Sequence, residues 1–154
     1  MVASSAPTDR PNTPLSLAAD DGCLYAVNAS DGAFRWKSCT GGRVESSATA
    51  FGLAGHPGGV VAVGSLDGTV YCFDGRTGAT VWTAKIGREV GSSPAIDRDG
   101  RLFVGGTDSV WALNATTGDT IWRYKTDAVI GSSPALIDGA LLVGSEGGYL
   151  YKLE

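Results

Sequence analysis

Residues 108–122, DSVWALNATTGDTIW, decide the fold, because two earlier stretches of the chain carry the same pattern. Those stretches are GCLYAVNASDGAFRW (22–36) and GTVYCFDGRTGATVW (68–82), and GYLYKLE (148–154) begins a further copy. The three full copies end on Trp36, Trp82 and Trp122. A repeat every forty-odd residues indicates one structural unit stacked several times, as in propellers and solenoids.

A second block recurs in phase with the first. It reads VESSATA (44–50), VGSSPAI (90–96) and IGSSPAL (130–136), and each copy leads into VAVGS, LFVGG or LLVGS. Short runs of β-branched and aromatic residues, bounded by DG, GG or TG, are typical of short strands joined by tight turns. Each copy therefore predicts four antiparallel strands. The whole chain predicts an all-β fold of about 3.5 β-propeller blades with about fourteen strands.

The repeats divide the chain into a leader and four blades. Residues 1–14, MVASSAPTDRPNTP, contain hardly any large apolar side chain and predict a disordered leader or a cloning remnant. The blades are expected at about 15–43, 44–89, 90–129 and 130–154, the last of them partial. The first blade is expected to begin at its second strand. Unpaired edges at both end blades predict association with a partner protein or with further copies of the chain.

The three full copies share a polar position and a glycine ahead of the tryptophan. An Asx residue ends the third strand, a glycine lies four residues later, and the tryptophan lies four residues after that. These candidate site positions are Asn28, Asp74, Asn114, Gly32, Gly78, Gly118, Trp36, Trp82 and Trp122. An Asx oxygen accepts hydrogen bonds from amides two or three residues on, and glycine adopts the positive φ that such a turn requires.

This spacing resembles the tryptophan-docking motif of the pyrroloquinoline-quinone (PQQ) repeat family of β-propellers, and the resemblance covers residues 15–154. The resemblance implies that each tryptophan packs flat between neighbouring blades with its indole N–H bonded across the interface. Because the tryptophans follow the repeat, we expect them to hold blades together rather than to stack on a ligand. We expect the recurring serine pairs to bind the backbone rather than to act as nucleophiles.

Cysteine and histidine are scarce in the chain. Cys23, Cys39 and Cys72 are odd in number and widely spaced, so they predict buried thiols rather than a disulfide framework or a metal site. His56 is the only histidine and lies in GLAGHPGG (52–59), which predicts a protruding surface loop with a solvated imidazole.

Charge and hydropathy exclude several partners. The formal net charge is −4 and the pI is about 4.9, which gives no electrostatic basis for binding nucleic acid or an anionic membrane surface. No run approaches the roughly 18 apolar residues of a membrane-spanning helix, so membrane insertion is not expected. Residues 1–14 lack the layout of a signal peptide, and the sequence leaves the compartment open.

The resemblance leaves three functions open. PQQ-dependent dehydrogenases hold the quinone and Ca²⁺ inside a ring of about eight blades, and they use a carboxylate base and, commonly, a disulfide between adjacent cysteines. This chain supplies under half of those blades, has no adjacent cysteines, and carries its acidic residues largely at turns. We therefore expect no catalytic residue, cofactor or metal, and favour a non-catalytic protein-interaction scaffold of bacterial type. The alternatives are an extracytoplasmic ligand-sensing domain of a bacterial Ser/Thr kinase and a fragment of a PQQ-dependent dehydrogenase.

Overall fold

The computed structural model describes residues 3–4 and 14–154, and the side chains from residue 16 onward. The described residues form strands and turns, and among them there is no helix that could cross a membrane. In chain order the strands are β1 (Ala3–Ser4), β2 (Pro14–Ala18), β3 (Cys23–Asn28), β4 (Phe34–Cys39), β5 (Thr49–Leu53), β6 (His56–Gly64), β7 (Thr69–Asp74), β8 (Thr80–Lys85), β9 (Ala95–Ile96), β10 (Arg101–Gly105), β11 (Ser109–Asn114), β12 (Thr120–Lys125), β13 (Ala135–Ile137), β14 (Ala140–Gly144) and β15 (Leu150–Leu153).

These strands form four antiparallel sheets that follow one another along the chain. The sheets β1–β4, β5–β8 and β9–β12 have four strands each, and β13–β15 has three. Within every sheet each strand pairs with the next one in sequence, which makes each sheet a meander. The sheets are successive propeller blades, and the predicted all-β fold of four-stranded antiparallel blades is confirmed.

The core lies between blades, because both faces of the middle strands are apolar. In β6, Val61 and Val63 pack toward the first blade, while Val60 and Ala62 pack toward the third. Side chains that alternate along a strand point to opposite faces of the sheet, so one strand serves two interfaces. A third cluster joins the third and fourth blades around Phe103. Full burial of each such side chain contributes roughly 1.5–3 kcal/mol.

The first blade begins one strand earlier than the sequence predicts. Ala3 pairs with Leu17 and Ser4 with Ser16, so β1 is the first strand of this sheet and brings its number of strands to four. The expectation that the first blade lacks its first strand is therefore wrong. The rest of the predicted disordered leader, residues 1–14, lies outside the described residues apart from Pro14, which begins β2.

The segment GLAGHPGG (52–59) is a hairpin rather than the protruding loop that its glycines and proline suggest. Leu53 pairs with His56, so only Ala54 and Gly55 form the turn between β5 and β6. Gly55 has a φ of 83°. A glycine in this conformation permits a two-residue turn whose flanking residues continue the ladder, and the extra residues lengthen two strands instead of forming a loop.

Candidate functional site

Each recurring tryptophan lies next to a β-bulge on the fourth strand of its blade. In the first blade Ala26 pairs with Trp36 but Val27 pairs with Phe34, which leaves Arg35 as an extra residue on β4. The same register shift occurs in the second and third blades. A bulge bends its strand and re-aims the side chains around it. It thus sets the direction of the tryptophan beside it.

Trp36 and Trp82 contact the following blade in the same way. The Nε1 of Trp36 donates a hydrogen bond to the Gly75 carbonyl oxygen at 3.1 Å, and that of Trp82 donates to the Ala115 carbonyl at 3.0 Å. The two tryptophans are only 6% and 7% exposed. A buried indole that keeps its polar partner contributes a few kcal/mol to the joint.

A glycine of the following blade lies against the ring of each of these tryptophans. Gly78 and Gly118 have φ angles of 75° and 79°. A Cβ atom added to Gly78 would lie 2.7 Å from the Trp36 ring, and one added to Gly118 would lie 2.6 Å from the Trp82 ring. Glycine is therefore required here both for the backbone conformation and for the close approach.

Trp122 lies in a different environment from the other two tryptophans. It is half-buried, and the described residues offer its Nε1 no hydrogen-bond acceptor. Its ring centroid lies 5.8 Å from that of Phe103. Together with Leu136 and Leu153 it lines a cleft of about 710 Å³ between the third and fourth blades, which we name the Trp122 cleft.

Gly32 is likewise uncovered among the described residues. It has a φ of 72°, like its counterparts, but an added Cβ would meet no atom of the described chain within 4 Å. The turn of the first blade therefore has the same conformation as the turns that contact Trp36 and Trp82, but among the described residues no tryptophan lies against it.

The Asx residues close the turns in two of the three blades. Oδ1 of Asp74 accepts hydrogen bonds from the amides of Arg76 and Thr77 at 3.0 and 2.8 Å. Oδ1 of Asn114 accepts from the two corresponding amides of its own turn at 2.8 and 3.3 Å. Asn28 differs, because its Oδ1 accepts a hydrogen bond from the Arg35 guanidinium at 3.1 Å.

His56 is paired rather than solvated, which corrects the sequence prediction. Its Nδ1 lies 2.7 Å from Oδ2 of Asp74, and its side chain is 27% exposed. Burial alone raises the pKa of Asp74, but hydrogen bonds from His56, from the Thr77 hydroxyl and amide, and from the Arg76 amide outweigh it and lower that pKa to about 2. The long second-blade hairpin places this imidazole over the turn, so the pair fastens the hairpin to it.

The recurring serine pairs bind backbone atoms, as the sequence predicts, but their partners are not local. The Ser46 hydroxyl donates to the Gly64 carbonyl at 3.0 Å and accepts from the Gly64 amide at 2.8 Å. The Ser93 hydroxyl accepts a hydrogen bond from the Ser47 amide of the preceding blade at 2.8 Å. One serine thus joins strands within a blade, and the other joins neighbouring blades.

Two of the three cysteines form a disulfide, so the prediction of three buried thiols is wrong for Cys23 and Cys39. Cys23 begins β3, Cys39 ends β4, and the two are direct partners in the antiparallel ladder. The two cysteines are 16 residues apart in sequence, but the turn between β3 and β4 brings them side by side. The spacing alone therefore does not reveal the pair. Cys72 is a buried thiol, as predicted, and burial raises its pKa to about 12.

Successive antiparallel blades joined by an indole–carbonyl bond and a glycine contact define a PQQ-like β-propeller repeat protein. The model of the family described as outer membrane protein assembly factor BamB matches residues 20–154, and the chain belongs to this family.

Comparison with individual proteins gives the same fold. The structure of BamB from Moraxella catarrhalis matches with a TM-score of 0.76 at 22% identity, over 92% of this chain and 46% of that one. The computationally designed Ika4 protein matches with a TM-score of 0.74 at 15% identity, over 92% of this chain and 84% of that one. The chain thus spans less than half of the BamB structure.

One curated relative is an enzyme by name. Over 96 residues, or 60% of this chain, the sequence is 38% identical to the beta-alanine-activating enzyme of Danio rerio. The matched part is 8% of that much longer protein.

Proposed function

We propose that these blades form a non-catalytic protein-interaction scaffold. The observation that carries the proposal is the distribution of exposed large apolar side chains, which are concentrated on the third and fourth blades. In the described chain they are Ile121, Tyr124, Val129, Leu136, Ile137, Tyr149 and Leu150, with Phe34 on the first blade. Contiguous exposed apolar surface marks protein-binding sites on soluble domains. The description of the family as an assembly factor supports the same role.

The chemistry of the recurring polar residues also favours a scaffold over an enzyme. The carboxylate of Asp74 is held by its own turn and by His56. The serines are hydrogen-bonded to backbone groups, and the Tyr71 hydroxyl donates a hydrogen bond to Oδ2 of Asp67 at 2.6 Å. Groups that are committed to structural hydrogen bonds are poorly placed to bind and activate a substrate.

A turn that offers a carbonyl oxygen and a glycine face would fit the Trp122 cleft, and we infer that a second copy of this chain can supply it. Within the chain a buried tryptophan is always received by a turn that offers a carbonyl oxygen and a glycine face. Trp122 has no such turn beside it in the described structure, and the turn Asn28–Gly32 has no tryptophan. Trp122 of one copy and Gly32 of the next are therefore complementary, which supports head-to-tail association.

Two single substitutions test this contact from its two sides. Trp122→Ala removes the indole, and Gly32→Ala adds a Cβ atom where the ring would lie. We expect wild-type protein at tens of micromolar to sediment as oligomers and each variant to sediment as a monomer. An equimolar mixture of the two variants should form dimers, because one intact contact remains between unlike chains.

The control is Gly55→Ala, which carries a similar positive φ of 83° with no described atom near its added Cβ. It should lose stability like Gly32→Ala but still associate. Wild-type protein that stays monomeric would contradict the self-association. Oligomers that neither variant disrupts would show that another surface is used.

A further inference from the structure

The Cys23–Cys39 disulfide lies at the end of the β3–β4 ladder that is distant from the turn. Cys39 is exposed, whereas Cys23 is only 4% exposed. The corresponding pairs in the second and third blades are Thr69 with Lys85 and Ser109 with Lys125. The covalent link at this position is therefore a feature of the first blade within the described chain.

The chain passes from the first blade to the second directly after Cys39. The Thr40 amide donates to the Gly22 carbonyl at 2.8 Å, and the Gly41 amide donates to Oδ2 of Asp67 in the second blade at 2.9 Å. The Leu66 amide of the second blade donates to the Arg43 carbonyl at 2.9 Å. We call residues 40–43 the blade joint, because their hydrogen bonds reach both blades.

We propose that the Cys23–Cys39 disulfide is a thiol-exchange site through which a dithiol reductant loosens the blade joint. Cys39 is the exposed half of the disulfide and therefore the accessible point of attack, and its link to Cys23 anchors the residue that precedes the joint. A disulfide that a solvent-borne thiolate can reach undergoes exchange, whereas a buried one is protected.

The exchange proceeds in two steps. A thiolate of the dithiol attacks Sγ of Cys39, the protein S–S bond breaks, and its electron pair leaves on Sγ of Cys23, which takes up a proton. The second thiol of the reductant, deprotonated, then displaces the Cys39 sulfur from the mixed disulfide. Two electrons pass to the protein, which gains two thiols, and the reductant leaves as a cyclic disulfide. Sγ of Cys23 lies 3.7 Å from the Asp21 carbonyl oxygen, an acceptor for the new thiol.

Reduction leaves the backbone ladder in place but removes its covalent end. Trp36, on the same strand, keeps its bond to the second blade, so we expect local opening rather than unfolding. The amides of Gly41 and Leu66 report on the blade joint because both are bonded across it. The β13–β15 sheet is distant along the row of blades, and its exchange should not change.

The experiment treats the native chain with dithiothreitol, alkylates it with iodoacetamide, and counts labels by mass spectrometry. Without denaturant we expect a label on exposed Cys39, and a second label on Cys23 as the end of the ladder opens. Buried Cys72 is the internal control and should be labelled only when the protein unfolds. A disulfide that resists the dithiol until the chain unfolds, or one that is already absent in air-oxidised protein, would overturn the proposal.

Hydrogen exchange then tests the effect on the blade joint. In reduced protein we expect the Gly41 and Leu66 amides to exchange at least about tenfold faster, with the original rates restored on reoxidation. The double variant Cys23→Ser, Cys39→Ser should show the fast rates with or without dithiothreitol. Unchanged exchange at these amides after complete reduction would show that the disulfide does not control the joint.

Discussion

Trp82 and Tyr124 are both aromatic residues on fourth strands, but only Trp82 is enclosed by the next blade. Trp82 is 7% exposed and hydrogen-bonded to the Ala115 carbonyl. Tyr124 is 44% exposed, and its ring centroid lies 5.9 Å from that of Tyr151. We expect Trp82→Ala to cost about 3–5 kcal/mol of unfolding free energy. Tyr124→Ala should cost about 1 kcal/mol. Equal midpoints in denaturant titrations of the two variants would contradict the structural role of Trp82.

Asp74 makes the stability of the second blade depend on pH. Its pKa of about 2 lies below the value of about 3.9 expected in the unfolded chain, so the folded state is favoured when the carboxylate is charged. This contribution is present above about pH 4 and is lost as the pH falls toward 2. The side chain is only 15% exposed, and the contribution at neutral pH is about 2–3 kcal/mol at most.

Asp74→Asn tests this dependence, since it keeps an oxygen for the turn amides and reproduces the residue found at Asn114. Urea titrations at several pH values should show the wild type more stable at neutral pH. The difference should shrink between about pH 4 and pH 2. A constant difference over that range would mean that the charge of Asp74 does not account for it.

The sequence predicts the role of a residue where the same residue recurs in every copy of the repeat. The prediction fails where a single blade departs from the pattern. The tryptophans, glycines and serines recur, so their positions follow from alignment of the copies. The His56–Asp74 and Cys23–Cys39 pairs each occur once. The cysteine pair depends on which residues face each other across β3 and β4. The His56–Asp74 contact depends on how the β5–β6 hairpin lies over the turn that follows β7. Both are properties of the folded sheets.

At the level of elements, the turn between the third and fourth strands forms half of each blade contact. Gly78 and Gly32 have nearly the same φ, but only Gly78 lies against a tryptophan. Gly32→Ala should therefore cost about 1 kcal/mol for the backbone alone. Gly78→Ala should cost a further 1–3 kcal/mol or so, because its Cβ collides with the Trp36 ring.

The comparison of these two variants separates backbone strain from packing, and chemical denaturation measures both. If Gly78→Ala were no more destabilising than Gly32→Ala, the close approach to Trp36 would have no energetic weight. The strands around these turns were predictable from their alternating residues. The bulge beside each tryptophan was not, because an extra residue leaves no distinct mark in the alternation over so short a strand.

At the scale of the whole molecule, stability resides in contacts between neighbouring blades. The three hydrophobic clusters each join two successive blades, and the indole–carbonyl bonds do the same. In such an array each unit depends mainly on its neighbours. The fold class was predictable from the period of the repeat. The exposure of Trp122 and Gly32 was not predictable. An alignment of the copies shows which residues are equivalent, but it does not show which of them a neighbouring blade covers.

Titration with PQQ and Ca²⁺ tests whether the blades carry the chemistry of PQQ-dependent dehydrogenases. Ca²⁺ in proteins is bound by roughly 6–8 oxygen ligands. Within residues 16–154 no group of three or more His, Cys, Asp or Glu side chains converges on one point. The carboxylates of Asp67 and Asp74 already accept several hydrogen bonds from neighbouring protein groups. We therefore expect calorimetry to show no saturable heat with Ca²⁺ alone or with the quinone and Ca²⁺ together. Saturable micromolar binding of PQQ would instead make a dehydrogenase fragment the better description, and calcium-dependent binding would direct the search to carboxylates that move on association.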